Sequence, residues 1–140
     1  MSRRVFLDTS GWLAAISTRE ASHQEAIEAY RIVLKTGRGF VTTSLVVAEM
    51  HILLTKHRGT AAGLQLLDAL ASDPAHEVRY VTRDLESAAV NNWLRTYQDQ
   101  SLSLTDAVSF ETMRVEGIRE ALALDSHFWI AGFQTLPSGG

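Results

Sequence analysis

Short runs of strand-forming apolar residues recur along this chain, and each is followed by a stretch with helical periodicity. The strand-like runs are Val5-Phe6-Leu7, Phe40-Val41-Thr42, Val78-Arg79-Tyr80-Val81 and the continuous apolar run Ala121 to Leu124, with Phe133 to Leu136 as an edge-strand candidate. Between them, Ser22 to Lys35 sets Ala26, Ile27, Tyr30, Val33 and Leu34 on one helical face, with Gly37 or Gly39 to end it. A helix capped by Thr43 or Ser44 runs to Lys56 with Leu45, Ala48, Ile52 and Leu53 inward, stopped by Gly59. Thr60 to Ser72 predicts another, with Leu64, Leu67 and Leu70 or Ala71 inward. A helix from about 84 to 97 would bury Leu85, Ala88, Ala89 and Trp93. A last one, opened by Thr105-Asp106 and ended by Gly117, would bury Ala107, Phe110 and Met113. Parallel strands need long crossovers and antiparallel ones do not, so this alternation restricts the chain to an α/β fold with a helix-covered parallel sheet.

The expectation is one domain over 1–140, with 138–140 frayed. At 140 residues a chain buries a real core without staples, and with no cysteine it has none. The missing thiols also exclude thiolate zinc sites and cysteine nucleophiles. The five histidines (His23, His51, His57, His76, His127) lack metal-binding spacing on a helix; His127 is read as a residue that orients a loop. No glycine-rich phosphate cradle is present. Ser2-Arg3-Arg4 imitates an export signal, but Asp8 interrupts the apolar stretch such a signal needs, so a cytoplasmic protein without membrane association is expected. A net charge of −3 argues against coating nucleic acid through bulk positive charge.

In open parallel sheets, ligands bind outside the carboxyl ends of the strands. Asp8 ends the first strand and Asp125 ends the fourth; Asp106 starts a helix after a loop, and Glu49 lies about a turn into the helix after the second strand. Glu49 is the only charge between Ser44 and Leu54 and has apolar neighbours at i−4, i−1, i+3 and i+4, so burial would demand a cationic or hydrogen-bonding partner. Singly, each acid has a structural reading as a cap, a turn residue or an ion-pair member. Together they set four acids at one sheet edge, where like charges repel unless a cation sits among them. A hard divalent cation suits such oxygen ligands.

The chain resembles the PIN-domain ribonucleases, and among them the VapC-type toxins of bacterial toxin–antitoxin pairs. The resemblance rests on Val5-Phe6-Leu7-Asp8-Thr9-Ser10, Thr43-Ser44-Leu45-Val46-Val47-Ala48-Glu49, Leu104-Thr105-Asp106-Ala107 and Ala123-Leu124-Asp125-Ser126-His127-Phe128, followed by Ala131-Gly132-Phe133, in order over essentially the whole chain. It implies a three-layer α/β/α sandwich with a mainly parallel five-stranded sheet and an acidic pocket for Mg²⁺ or Mn²⁺. It also implies endonucleolytic hydrolysis of RNA by metal-activated water, a cognate antitoxin protein and a homodimer. Asp8, Glu49, Asp106 and Asp125 would be the acidic quartet, with Thr9, Ser10 and Thr105 as supporting hydroxyls. Relatives often carry Thr or Ser where this chain has Ala123, so that hydroxyl is absent or comes from one of those three.

Two other readings stand beside this one. A PIN-like scaffold that only binds protein or RNA would keep the fold without the chemistry. An aspartyl-phosphate phosphatase would also place an acid after the first strand, but generally uses a late lysine, and the only lysines here are Lys35 and Lys56. Setting the four acids aside leaves twelve acidic against thirteen basic residues, so the net charge of −3 is largely that of the pocket.

Overall fold

Five strands pair in parallel throughout: β1 (Val5–Leu7), β2 (Phe40–Thr43), β3 (His76–Arg79), β4 (Glu120–Leu122) and β5 (Gln134–Leu136), in the order β3-β2-β1-β4-β5. Among the described residues, seven α-helices connect them: α1 (Thr9–Ile16), α2 (His23–Lys35), α3 (Ser44–Arg58), α4 (Thr60–Ser72), α5 (Arg83–Ala89), α6 (Leu104–Glu116) and α7 (His127–Ile130). The computed structural model describes residues 3–138, so the fraying expected at Gly139 and Gly140 lies outside the described residues. Among the described residues, no helix is long and apolar enough to cross a membrane.

The centre of the sheet follows from its sequence. All residues of β1 and β2 are buried, as a strand covered on both faces by helices requires. Phe6, Phe110 and Phe128 meet across the layers, Phe110 edge-on to Phe128 at 4.9 Å between ring centres. That places α6 and α7 on the same side of β1. The sheet's opposite end is sealed by His76, stacked on Phe40 and within hydrogen-bonding reach of the Tyr30 hydroxyl and of Asp73 Oδ2 at 3.0 Å. Arg4, from the arginine pair that imitates an export signal, forms an ion pair with Glu77.

Several boundaries differ from the sequence reading. β3 starts two residues earlier, because parallel register carries His76 opposite Phe40 and leaves Tyr80 75% exposed beyond the last pair. β4 stops at Leu122, and Leu124 turns outward. Two helices were not anticipated: α1, which begins directly behind Asp8, and the single turn α7. The helix expected over 84–97 is α5 followed by a wider π-type turn at Val90–Leu94. There Trp93 Nε1 and Asn92 Nδ2 donate to the buried Glu111 Oε1 at 3.1 and 3.2 Å, with Arg114 completing its partners. α6 is as expected: Ala107, Phe110 and Met113 are fully buried, and Gly117 ends it at φ 67°.

The larger correction concerns α3 and α4. The buried side of α3 is Val46, Met50 and Leu54, whereas Ala48 and Ile52 are exposed. α3 is apolar on more than one face, so periodicity alone did not select the buried one. On α4 only Gly63 is buried; a Cβ there would stand 2.3 Å from Thr55 Oγ1, which is how closely α4 lies against α3. Leu64 and Leu67, expected inward, are exposed.

At Gly11 the start of α1 lies directly against the end of β4. A Cβ on Gly11 would lie 2.2 Å from the Leu122 carbonyl oxygen, a backbone atom that cannot swing away. Gly11→Ala is therefore expected to lower the unfolding free energy by about 2 kcal/mol or more, as overpacking against backbone does. Urea denaturation of the two proteins measures it.

Candidate active site

The first strand ends at Asp8, whose backbone N–H donates to Leu122 O at 3.2 Å, so β1 and β4 finish side by side. Asp8 caps α1: its Oδ2 accepts from Ser10 N at 3.2 Å and from Ser10 Oγ at 2.6 Å. Ser10 Oγ in turn accepts from Leu124 N at 2.9 Å and so bridges the ends of both strands. Ala123 is buried in the core, and its N–H donates to Leu136 O at 3.1 Å. The Ser10 hydroxyl occupies the bridge between Asp8 and the β4 end.

Asp106 lies in the first turn of α6 within a capping box: Ser103 Oγ accepts from Asp106 N at 3.0 Å, and Asp106 Oδ2 accepts from Ser103 N at 3.3 Å. Asp125 follows β4, and its Oδ1 accepts from His127 N at 2.9 Å in a tight turn into α7. His127 Nδ1 stands 3.2 Å from Asp125 Oδ1 and 3.6 Å from Asp106 Oδ2. One donor atom each from Asp106, Asp125 and His127 falls within 4.8 Å of the others.

Asp8 is 6% exposed, and its pKa is pushed up to about 6. Desolvation is the main cause; the two hydrogen bonds from Ser10 oppose it, and the charges of Asp106 and Asp125 add to it. Asp106 is raised for the same leading reason, burial, with Asp125 adding repulsion and Ser103 and His127 opposing. Three of the four acids therefore share one electrostatic environment.

Glu49 is placed differently. It is exposed on α3 next to the buried Met50; of its apolar neighbours, Ala48 and Ile52 are exposed with it while Leu45 and Leu53 pack against the core, so the burial its sequence surroundings suggested does not occur. It opens to solvent on the helix that starts from the same sheet edge. Thr105 is half-buried beside Asp106, and Thr9 follows Asp8. His127, which the sequence favoured as a loop-orienting residue over a catalytic one, is drawn in among the acids. Its position two residues after Asp125 was the available signal.

Among the described residues, two buried side-chain polar atoms lack a hydrogen-bond partner, Thr9 Oγ1 and His127 Nδ1. Both belong to residues of this edge. Converging carboxylates, pKa values raised by burial and further by mutual repulsion, and unpartnered buried polar atoms are features that suit a cation-binding site. The residues present thus fit a divalent metal.

A sequence model of the PIN domain family matches residues 5–133. The chain is 33% identical over 129 residues to the 23S rRNA-specific endonuclease VapC20 of Mycobacterium tuberculosis, in strains CDC 1551 / Oshkosh and ATCC 25618 / H37Rv. The match covers 92% of this chain and 95% of the relative. The crystal structure of Mycobacterium tuberculosis VapC20, described as a Sarcin-Ricin loop cleaving toxin, aligns with a TM-score of 0.78 at 33% identity, over 92% of this chain and 95% of that one.

Because the folded-state pKa of Asp8 lies above its unfolded value, this carboxyl favours the metal-free fold below about pH 4 and loses that contribution as pH rises through about 6. The loss is on the order of 3 kcal/mol. Asp8→Asn keeps the α1 cap and removes the charge. The metal-free variant is expected to be more stable than the parent at pH 7.5 and to lose that advantage near pH 4, measured by chemical denaturation in EDTA across pH.

Proposed function

The chain belongs to the PIN domain family, and on that premise we propose that it is a metal-dependent endoribonuclease, the toxin of a toxin–antitoxin pair, cutting RNA at the acidic edge of its sheet. The observation that carries the reading is the convergence of Asp8, Asp106 and Asp125 from three distant segments, close enough that the charges of Asp106 and Asp125 raise the pKa of Asp8 and that of Asp125 raises the pKa of Asp106. Asp8, Asp106 and Asp125 would hold Mg²⁺ or Mn²⁺, and exposed Glu49 would hold a metal-bound water or a second ion. Bound there, a divalent cation neutralises phosphate oxygens and lowers the pKa of a coordinated water. Hydrolysis by water leaves 5′-phosphate and 3′-hydroxyl ends.

The chain's own residues supply placement. Ser10 holds Asp8 Oδ2 from two donors and leaves Oδ1 for a ligand. The capping box pins Asp106 at the start of α6, and the Asp125 turn sets His127 beside both acids. The substrate class is a structured ribosomal RNA loop, by similarity to the relative described as specific for 23S rRNA. By the same family likeness, the protein acts in the cytoplasm and is held in check by a cognate antitoxin. The outward apolar residues of α3 and α4, among them Ile52 and Leu67, support a homodimer.

Neither rival fits as well. A purely binding scaffold has no need of a desolvated acid such as Asp8, kept at a cost to stability. For aspartyl-phosphate chemistry, Lys35 and Lys56 are both exposed in the last turns of α2 and α3, remote from Asp8 at the start of α1.

Cleavage of a 23S rRNA fragment should require Mg²⁺ or Mn²⁺ and stop in EDTA. Asp8→Asn and Asp106→Asn should each lower the rate by about 100-fold or more, since each removes a ligand charge. Full Mg²⁺-dependent cleavage by Asp8→Asn would overturn the site. Glu49→Gln should lose activity while leaving the first Mn²⁺ equivalent bound, read by calorimetric titration.

A further inference from the structure

Of the donor atoms drawn together at this edge, one is not a carboxylate oxygen. His127 Nδ1 is buried and has no hydrogen-bond partner, although carboxylate oxygens stand 3.2 and 3.6 Å away. The distance to Asp125 Oδ1 suits an N–H···O bond, but the alignment does not. An imidazole that merely oriented Asp125 would point at it. The turn already uses His127 N for that purpose, donating to Asp125 Oδ1 at 2.9 Å.

The spacing fits a shared ion. With ligand bonds of about 2.1 Å, cis ligands of an octahedral cation stand about 3.0 Å apart and trans ligands about 4.2 Å. One donor atom each of Asp106, Asp125 and His127 keeps within 4.8 Å of the others, and His127 Nδ1 itself stands 3.2 Å from Asp125 Oδ1 and 3.6 Å from Asp106 Oδ2. The ring is held there from behind. Phe128, the next residue, is fully buried against Phe110 and Phe6, which fixes the single turn of α7 and with it the direction of His127.

Resting on the metal-nuclease reading above, we propose that His127 Nδ1 is itself a ligand of the divalent cation. The site is then a mixed nitrogen–oxygen centre that takes Mn²⁺, or another dication that accepts imidazole, in preference to Mg²⁺. Carboxylate, carbonyl and water suit Mg²⁺, whereas imidazole adds affinity for first-row transition metals. Asp106 and Asp125 provide oxygen to either ion, so the nitrogen is what separates them. Asp8 adds negative charge without changing that preference.

The test uses the full chain and metal alone, with no RNA. Calorimetric titration of the parent should show one equivalent of Mn²⁺ bound at least tenfold more tightly than Mg²⁺. His127→Ala and His127→Gln should each weaken Mn²⁺ at least tenfold and leave Mg²⁺ within about threefold, bringing the two ions together. The metal-free melting temperatures of the variants monitor their folding. Independently of any variant, one equivalent of Mn²⁺ in the parent should show nitrogen hyperfine coupling by pulsed paramagnetic resonance, altered when the histidines carry ¹⁵N. Tight Mn²⁺ binding without nitrogen coupling, or an unchanged ion preference in folded variants, overturns the histidine ligand and leaves the metal nuclease standing. Absence of binding by both ions overturns both.

Discussion

The acidic edge depends on β1 and β4 ending side by side. They run in parallel register, Leu7 opposite Leu122, and the next amide, Asp8 N, donates to Leu122 O. The start of α1 then lies directly on that carbonyl, which only a residue without a side chain permits, and Gly11 is that residue. Ser10 closes the junction by linking Asp8 Oδ2 to Leu124 N. Residues from the two ends of the chain are thereby brought to one corner, with Asp125 one step beyond Leu124. Altering any of these contacts moves the acids relative to one another.

Holding carboxylates this close has a cost, and the fold offsets part of it locally. Asp8 caps α1 and Asp106 sits in the first turn of α6, where helix N-termini favour negative charge by about 0.3–1 kcal/mol each. The net penalty on ionised Asp8, led by desolvation, is larger, on the order of 3 kcal/mol for a pKa moved from 3.8 to about 6. Capping therefore reduces the penalty without removing it. The remainder is a cost to the stability of the metal-free fold, of the kind that functional sites carry.

Helices α3 and α4 show the limit of periodicity as a guide. Leu45, Ala48, Ile52 and Leu53 form one plausible inward stripe; Val46, Met50 and Leu54 form another, and the core buries the second, with Leu45 and Leu53 packed at its margin and Ala48 and Ile52 left exposed. The choice follows from where β2 delivers the chain: Thr43 caps the helix with its hydroxyl, accepting from Val46 N at 3.3 Å, which sets the rotation of the first turn. The same rotation turns Glu49 to solvent. An acid with apolar neighbours was thus exposed, while the acid buried inside α6, Glu111, sat unremarked among alternating residues. It is satisfied by Trp93, Asn92 and Arg114, partners that only the folded chain supplies.

By itself the sequence determined the class of fold and the identity of the acids at the strand ends. Strand runs separated by helix-length segments leave little but a parallel sheet, and Asp8 and Asp125 follow such runs directly, while Asp106 belongs to the start of a helix. These are local properties, written in residues adjacent along the chain. The tertiary structure decided which carboxylates share an environment, which face of α3 is core, and that His127 joins the acids with a buried, unpartnered nitrogen. Those outcomes rest on distances between segments far apart in sequence, and on desolvation, which exists only once the chain has closed around a group.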